Sequence, residues 1–173
     1  ETDEINSQMM LRALSQFMGM MVSSNSKYDK VQRGETTFTD AEERGYKIFQ
    51  QKCATCHQEP LFTDQSYRNT GIPVNPELKD IGRMRITKRA ADSLKFKVPS
   101  LRNVMLTAPY GHDGRFFSVG TVIDHYRFGV ETGPTTDPLV KNKLNIDIFG
   151  KNDLVIFLRT LTDSSFIADK RFN

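Results

Sequence analysis

Two cysteines three positions apart, followed at once by a histidine, make up the stretch Cys53-Ala54-Thr55-Cys56-His57. This spacing suits covalent attachment of a c-type haem. The thiols add to the two vinyl groups as thioethers, and the short turn between them sets both sulfurs against one porphyrin edge. His57 then reaches the iron with an imidazole nitrogen. A disulfide or half of a zinc site would use the same cysteines. Structural zinc takes about four protein ligands, whereas the chain has no further cysteine and only two other histidines, His112 and His125. A thioredoxin-like redox turn needs a βαβ setting that the flanks lack. The motif therefore predicts one covalently bound haem c anchored by Cys53, Cys56 and His57.

For the far side of the iron the sequence offers Met84, Met105, His112, His125 and Tyr126. Ser118-Val119-Gly120-Thr121 reads as a helix start, after which Val119, Val122, Ile123 and Tyr126 share one apolar face. Tyr126 then points where a buried haem would sit, and His125 falls about 100° round the helix, towards a rim. His112 lies in the glycine-flanked turn Gly111-His112-Asp113-Gly114, near a haem edge rather than over the iron. Tyr126 is the first choice and Met105 its rival. An ordinary core tyrosine is the competing explanation.

Elements must hold these residues in place. Thr39 followed by Glu42 is a capping-box pattern, with Asp40 and Glu43 adding charge to the first turn. The helix it opens runs through Gly45, Ile48 and Phe49 into the haem motif. A glycine inside a helix costs about 1 kcal/mol against alanine, so Gly45 implies close packing. The expected partner is the apolar segment from Asn152 to Leu161, a first helix crossing a last one. Between them lie proline- and glycine-rich connections, including Gly71-Ile72-Pro73, Asn75-Pro76, Val98-Pro99, Ala108-Pro109 and Gly133-Pro134. No strand alternation, repeat or low-complexity segment stands out. The fold class is all-α, a cytochrome c-like haem domain with long irregular loops and an extra N-terminal helix.

That extra helix rests on Ile5, Met9, Leu11, Leu14, Phe17, Met18, Met21 and Val22, which recur at helical spacing. Gln8, Arg12, Ser15 and Gln16 interrupt a stretch already short for a membrane span. Its methionines read as apolar packing rather than iron ligands. The polar run from Lys27 to Thr37 reads as a linker. The expected division is 1-37 helix and linker, 38-163 haem domain and 164-173 tail. With 173 residues, 38% apolar, and a net charge of +3, the chain suits one compact domain and shows no like-charge block of the kind that binds nucleic acid. Haem attached this way implies export, so a periplasmic location is expected. The opening Glu1-Thr2-Asp3-Glu4 carries no signal peptide, and an upstream segment is expected to have been removed.

Several stretches together resemble the C-terminal haem domain of bacterial di-haem cytochrome c peroxidases. These are Glu59-Pro60-Leu61-Phe62-Thr63-Asp64, Phe96-Lys97-Val98-Pro99-Ser100-Leu101-Arg102-Asn103-Val104, Thr107-Ala108-Pro109-Tyr110-Gly111-His112-Asp113-Gly114, His125-Tyr126 and Leu158-Arg159-Thr160-Leu161-Thr162-Asp163. Ala13 to Asp29 is similar to the family's last N-domain helix and interdomain linker. The resemblance implies a six-coordinate haem that passes electrons to a peroxide-reducing haem in an N-terminal domain, with calcium between the two. Thr107 and Pro109 match positions whose backbone carbonyls help hold that calcium, and carbonyl oxygens are the hard donors it takes. Arg102 and Lys97 are candidates to pair with haem propionates.

Two departures matter. The peroxidases carry methionine where this chain has Tyr126, and tyrosine there resembles the MauG branch, whose members oxidise a protein or other substrate. Phenolate is a hard anionic donor that favours ferric and higher states. The peroxidatic domain is also absent, and no residue present qualifies as a peroxide acid/base catalyst. Three functions follow as expectations: the electron-transfer domain of a di-haem peroxidase-like enzyme, a MauG-like oxidase, or a stand-alone monohaem carrier. The partners implied are the missing N-terminal haem domain and a small electron-donor protein or protein substrate. Self-association of the apolar helix, as in a homodimer, or its folding back on its own domain is a further expectation.

Overall fold

The structure is a computed structural model and describes residues 6–142 and 144–172; Ile5, expected in the first helix, lies outside them. In chain order the helices are α1 (Ser7–Met20), α2 (Lys27–Gln32), α3 (Asp40–Lys52), α4 (Met84–Thr87), α5 (Val119–Asp124), α6 (Pro138–Lys141), α7 (Ile148–Arg159) and α8 (Ser164–Ile167). Two-residue strands, β1 (Tyr67–Arg68) and β2 (Phe96–Lys97), pair antiparallel, with Tyr67 opposite Lys97 and Arg68 opposite Phe96. The described part is thus mainly helical, with one small sheet.

The architecture turns on α3 against α7. Thr39 caps α3 and its amide donates to Glu42 at 2.7 Å, the reciprocal arrangement that its sequence predicts. Asp147 caps α7, accepting from Gly150 N–H at 2.7 Å. At the crossing, a Cβ on Gly45 would stand 2.0 Å from the Asp153 carbonyl oxygen and 2.8 Å from Phe157 Cβ. Only glycine lets the two backbones approach so closely. Arg44 then clasps Asp153 with bonds of 2.7 and 3.0 Å. Phe49, Phe62, Leu154, Phe157, Leu158 and Leu161 fill the core beneath, with Val119 and Ile123 of α5 closing one side.

The segment read as a linker corrects that expectation. Ser26 and Asp29 form a capping box that starts α2, and Tyr28 is buried in the same core as Phe49 and Phe62. The Tyr28 amide also donates to the Thr160 carbonyl at 3.0 Å, and Asp29 pairs with Arg102 at 2.9 Å, so the segment is held on the domain by both core and polar contacts. Residues before 38 thus share the core from which the haem motif grows. By contrast α1 buries none of its residues; Phe17 touches the C-terminal segment, its ring 5.8 Å from that of Phe172. No helix among the described residues is long and apolar enough to cross a membrane.

The long connections are pinned by polar contacts. Arg68 reaches Asp64 at 2.7 Å, Asp137 at 2.8 Å and Ser66 at 2.9 Å, a fork that ties the sheet to the loop after the haem motif. Gly71, at φ +68°, lies where a Cβ would meet the Glu131 carbonyl oxygen at 2.5 Å. That turn fixes Thr70 beside the segment following α5.

Candidate haem site

The motif grows directly out of α3. Cys53 is its C-cap, donating to the Phe49 carbonyl at 2.8 Å, and the amides of Cys56 and His57 both turn back to the Cys53 carbonyl, at 3.1 and 2.9 Å. Both cysteines stand as free thiols. Burial pushes the Cys53 thiol up to about 12 and raises Cys56 as well. Both therefore stay protonated at neutral pH.

His57 is positioned by two carbonyls. Its Nδ1 lies 3.1 Å from the Phe62 oxygen and 3.2 Å from the Pro99 oxygen. A carbonyl can only accept, so Nδ1 carries the proton and donates, which leaves the Nε2 lone pair free. Burial lowers the imidazole's proton affinity, and the two carbonyls offset part of that effect. A neutral imidazole held through Nδ1 to backbone oxygens is the form in which histidine binds a metal. Two free thiols and this imidazole on one turn fit a c-type haem. Sequence reasoning had not identified the two carbonyls, although both residues sit in stretches singled out above.

On the far side, α5 starts at Ser118 as expected. It then widens into a π-helical turn, His125–Gly129. Such turns shift the register of the face that follows and recur at functional sites. His125, still α-helical with its amide on the Thr121 carbonyl, is buried and not at a rim, because the Thr70 turn covers it: its Nε2 lies 2.9 Å from the Thr70 carbonyl oxygen. Burial raises the neighbouring Tyr126 phenol to about 12, Cys53 and Cys56 add to this through charge, and a hydrogen bond from Thr70 opposes it. Tyr126 thus lies within electrostatic reach of the two cysteines. Met105, in a 3-10 turn at Val104–Leu106, packs at the edge of the core, while Met84 opens α4. His112 stacks on Phe96, rings 3.7 Å apart and 10° from parallel.

The remaining predicted residues are scattered around this centre. Arg102 spends its guanidinium on Asp29, at 2.9 and 3.0 Å, and on the Pro60 carbonyl at 3.0 Å. Its main partners are thus protein groups rather than the open solvent or a free propionate position. Lys97 is exposed on β2, and Thr107 and Pro109 lie in an exposed loop. Among the described residues no group of three or more His, Cys, Asp or Glu side chains could hold a metal ion. Unforeseen in the sequence is Glu59, which accepts from Tyr28 at 2.5 Å and from Tyr46 at 3.1 Å.

No protein-family model matches the chain. Curated relatives do. Cytochrome-c peroxidase IdrP2 of Denitromonas iodatirespirans is 31% identical across 92% of this chain and 50% of its own length. Methylamine utilization protein MauG of Paracoccus denitrificans (strain Pd 1222) is 35% identical across 89% of this chain and 50% of its own. Among solved structures, a MauG-like protein associated with microbial copper homeostasis superposes with a TM-score of 0.84 at 33% identity, covering 98% of this chain and 61% of that one. The chain spans about half the length of the curated relatives it matches.

Proposed function

Because this chain belongs to the bacterial di-haem cytochrome c peroxidase and MauG family, we propose that it is the C-terminal electron-transfer haem domain of an exported di-haem oxidoreductase. The observation that carries this reading is His57, proton fixed on Nδ1 by the Phe62 and Pro99 carbonyls, on the same turn as two free thiols. The bound haem supplies reversible one-electron chemistry at iron. Cys53 and Cys56 would hold the macrocycle by thioether bonds, and buried Phe49 and Phe62 would exclude water from beneath the motif.

Tyr126 is the sixth ligand in this reading. Its phenol must lose a proton that burial holds in place to about pH 12, and a ferric ion supplies the opposing charge. Thr70 favours the phenolate through its hydrogen bond. Calcium, held in part by the Thr107 and Pro109 carbonyls, and Lys97 beside a propionate belong to the same proposal. So does Arg102, through whichever N–H groups Asp29 and Pro60 leave over. The rest of the protein, a second haem domain, covers the exposed stripe of α1.

Tyr126 also favours a second reading, a MauG-like oxidase acting on a protein or organic substrate. The test is peroxide-dependent turnover by the full-length protein with a reduced small c-type cytochrome as donor. Steady oxidation of that donor is the expected result. Peroxide consumption that leaves the donor reduced while a co-purified protein is oxidised would favour the second reading, and no reaction with peroxide at all would contradict both.

A further inference from the structure

Residues 79–97, which include α4 and β2, carry seven Lys or Arg against two Asp, a surplus of five positive charges. The whole chain's surplus is only three, so the segment is a basic island on an otherwise net acidic chain. Backbone bonds close its base: Arg83 N–H donates to the Lys95 carbonyl at 2.8 Å, and Leu94 N–H to the Ile81 carbonyl at 2.9 Å. Gly82, at φ +62°, permits that approach, since a Cβ there would stand 2.5 Å from the Lys95 carbonyl oxygen. Arg83 also lies over the Tyr67 ring at 4.0 Å and, with Lys95, flanks Asp92 at 3.7 and 3.6 Å. The base is firmly tied and its charge partly neutralised. The tip is not. Arg85, Lys88 and Arg89 are exposed and have no ion pair among the described residues, and Ile86, beside Arg85 in α4, is 82% exposed.

We propose that this lobe is the docking surface for an acidic protein, with Ile86 as its apolar contact and Arg85, Lys88 and Arg89 as its charged rim. Like charges gathered without counter-charges repel one another and give the fold nothing; a carboxylate-rich surface neutralises them. An apolar centre inside a polar rim is the anatomy of a protein interface, and rim charges of one sign steer the encounter. An anionic lipid surface suits the lobe less well, because each cation contributes only about 1 kcal/mol there. The position also suits a partner of this domain. From the lobe's base β2 runs on to Pro99, whose carbonyl accepts from His57 Nδ1 at 3.2 Å. That the acidic protein is the electron donor rests on the proposed function; the sign of its charge does not.

Surface plasmon resonance on the full-length, haem-loaded protein tests this against one small c-type cytochrome in two forms, succinylated and unmodified with its lysines intact. The succinylated form should bind, its on-rate falling steeply as salt rises, and the unmodified form should bind more weakly. Arg85→Glu with Lys88→Glu and Arg89→Glu should slow association of the succinylated form by about tenfold or more at low salt. Gln at the same three positions should give a smaller loss in the same direction. Ile86→Ser should speed dissociation and leave the on-rate unchanged. Lys30→Glu with Lys141→Glu and Lys170→Glu alters the net charge equally at other exposed sites and should cost less than about threefold. Equal losses in the two Glu triple variants would mean that net charge, not the lobe, is what the partner meets, and would overturn the proposal. So would tighter binding of the unmodified cytochrome, or lobe-dependent binding to phosphatidylglycerol vesicles without binding to the succinylated form. Failure of peroxide turnover would leave these binding readings untouched and bear on the proposed function alone.

Discussion

Helices α1 and α3 each carry an apolar stripe and each start on a side-chain cap, Asn6 for one and Thr39 for the other. Only α3 buries what it carries. Phe49 is fully inaccessible, whereas Leu14 and Met18 remain 48% and 61% exposed. Amphipathic periodicity makes a helix able to dock; it does not supply the surface to dock on. For α3 that surface is α7, reached because Gly45 removes the one Cβ in the way. For α1 no such partner lies among the described residues, in a chain that spans about half the length of its relatives.

The comparison is broken most directly at Gly45. Gly45→Ala places a methyl against the Asp153 backbone and should cost about 3 kcal/mol, the upper part of the range for overpacking. Denaturant unfolding measures it, and haem incorporation should fall in parallel because α3 carries the motif.

A smaller effect is expected at Asp163, which ties the segment between α1 and α2 to the start of α8. Its carboxylate accepts from Ser23 and the Asn25 amide on one oxygen, and from Ser165 and the Phe166 amide on the other. Burial alone would raise its pKa, but these bonds hold it down to about 2. A carboxyl depressed in the folded state stabilises above its unfolded value, and the benefit is lost as pH falls through that value towards about 2. Asp163→Asn should therefore cost about 2 kcal/mol at neutral pH and flatten the acid limb of the stability curve. Thermal melts between pH 7 and acid conditions would display both.

The smallest change belongs to α1. Leu14→Ser with Met18→Ser should alter domain stability by no more than about 0.5 kcal/mol, while reducing self-association seen by light scattering. A large loss of stability would mean that α1 is part of this core after all.

What the sequence made legible follows the strength of each local signal. The cap at Thr39, the helix start at Ser118 and the close approach at Gly45 all follow from one or two residues with a single good use. Helix α2 is hidden because five of its six residues are not core-forming, and its docking rests on Tyr28 together with the Arg102–Asp29 pair, a contact remote in sequence. Strands β1 and β2 are too short for alternation to register. His125 keeps the α-helical position its spacing predicts, and it is buried rather than at a rim because the Thr70 turn, 55 residues earlier, folds over it. Glu59 escaped notice since its role depends on two tyrosines brought in from separate helices.

The central claim is that Cys53, Cys56 and His57 hold a covalent haem. Intact mass with haem-stained denaturing electrophoresis, on protein produced alongside a cytochrome c maturation system, addresses it directly. Wild type should retain one haem after denaturation. Cys53→Ala with Cys56→Ala should retain none, and either single variant at most one thioether's worth of attachment. A wild-type chain of unmodified mass, or a double variant that still stains, would contradict the account.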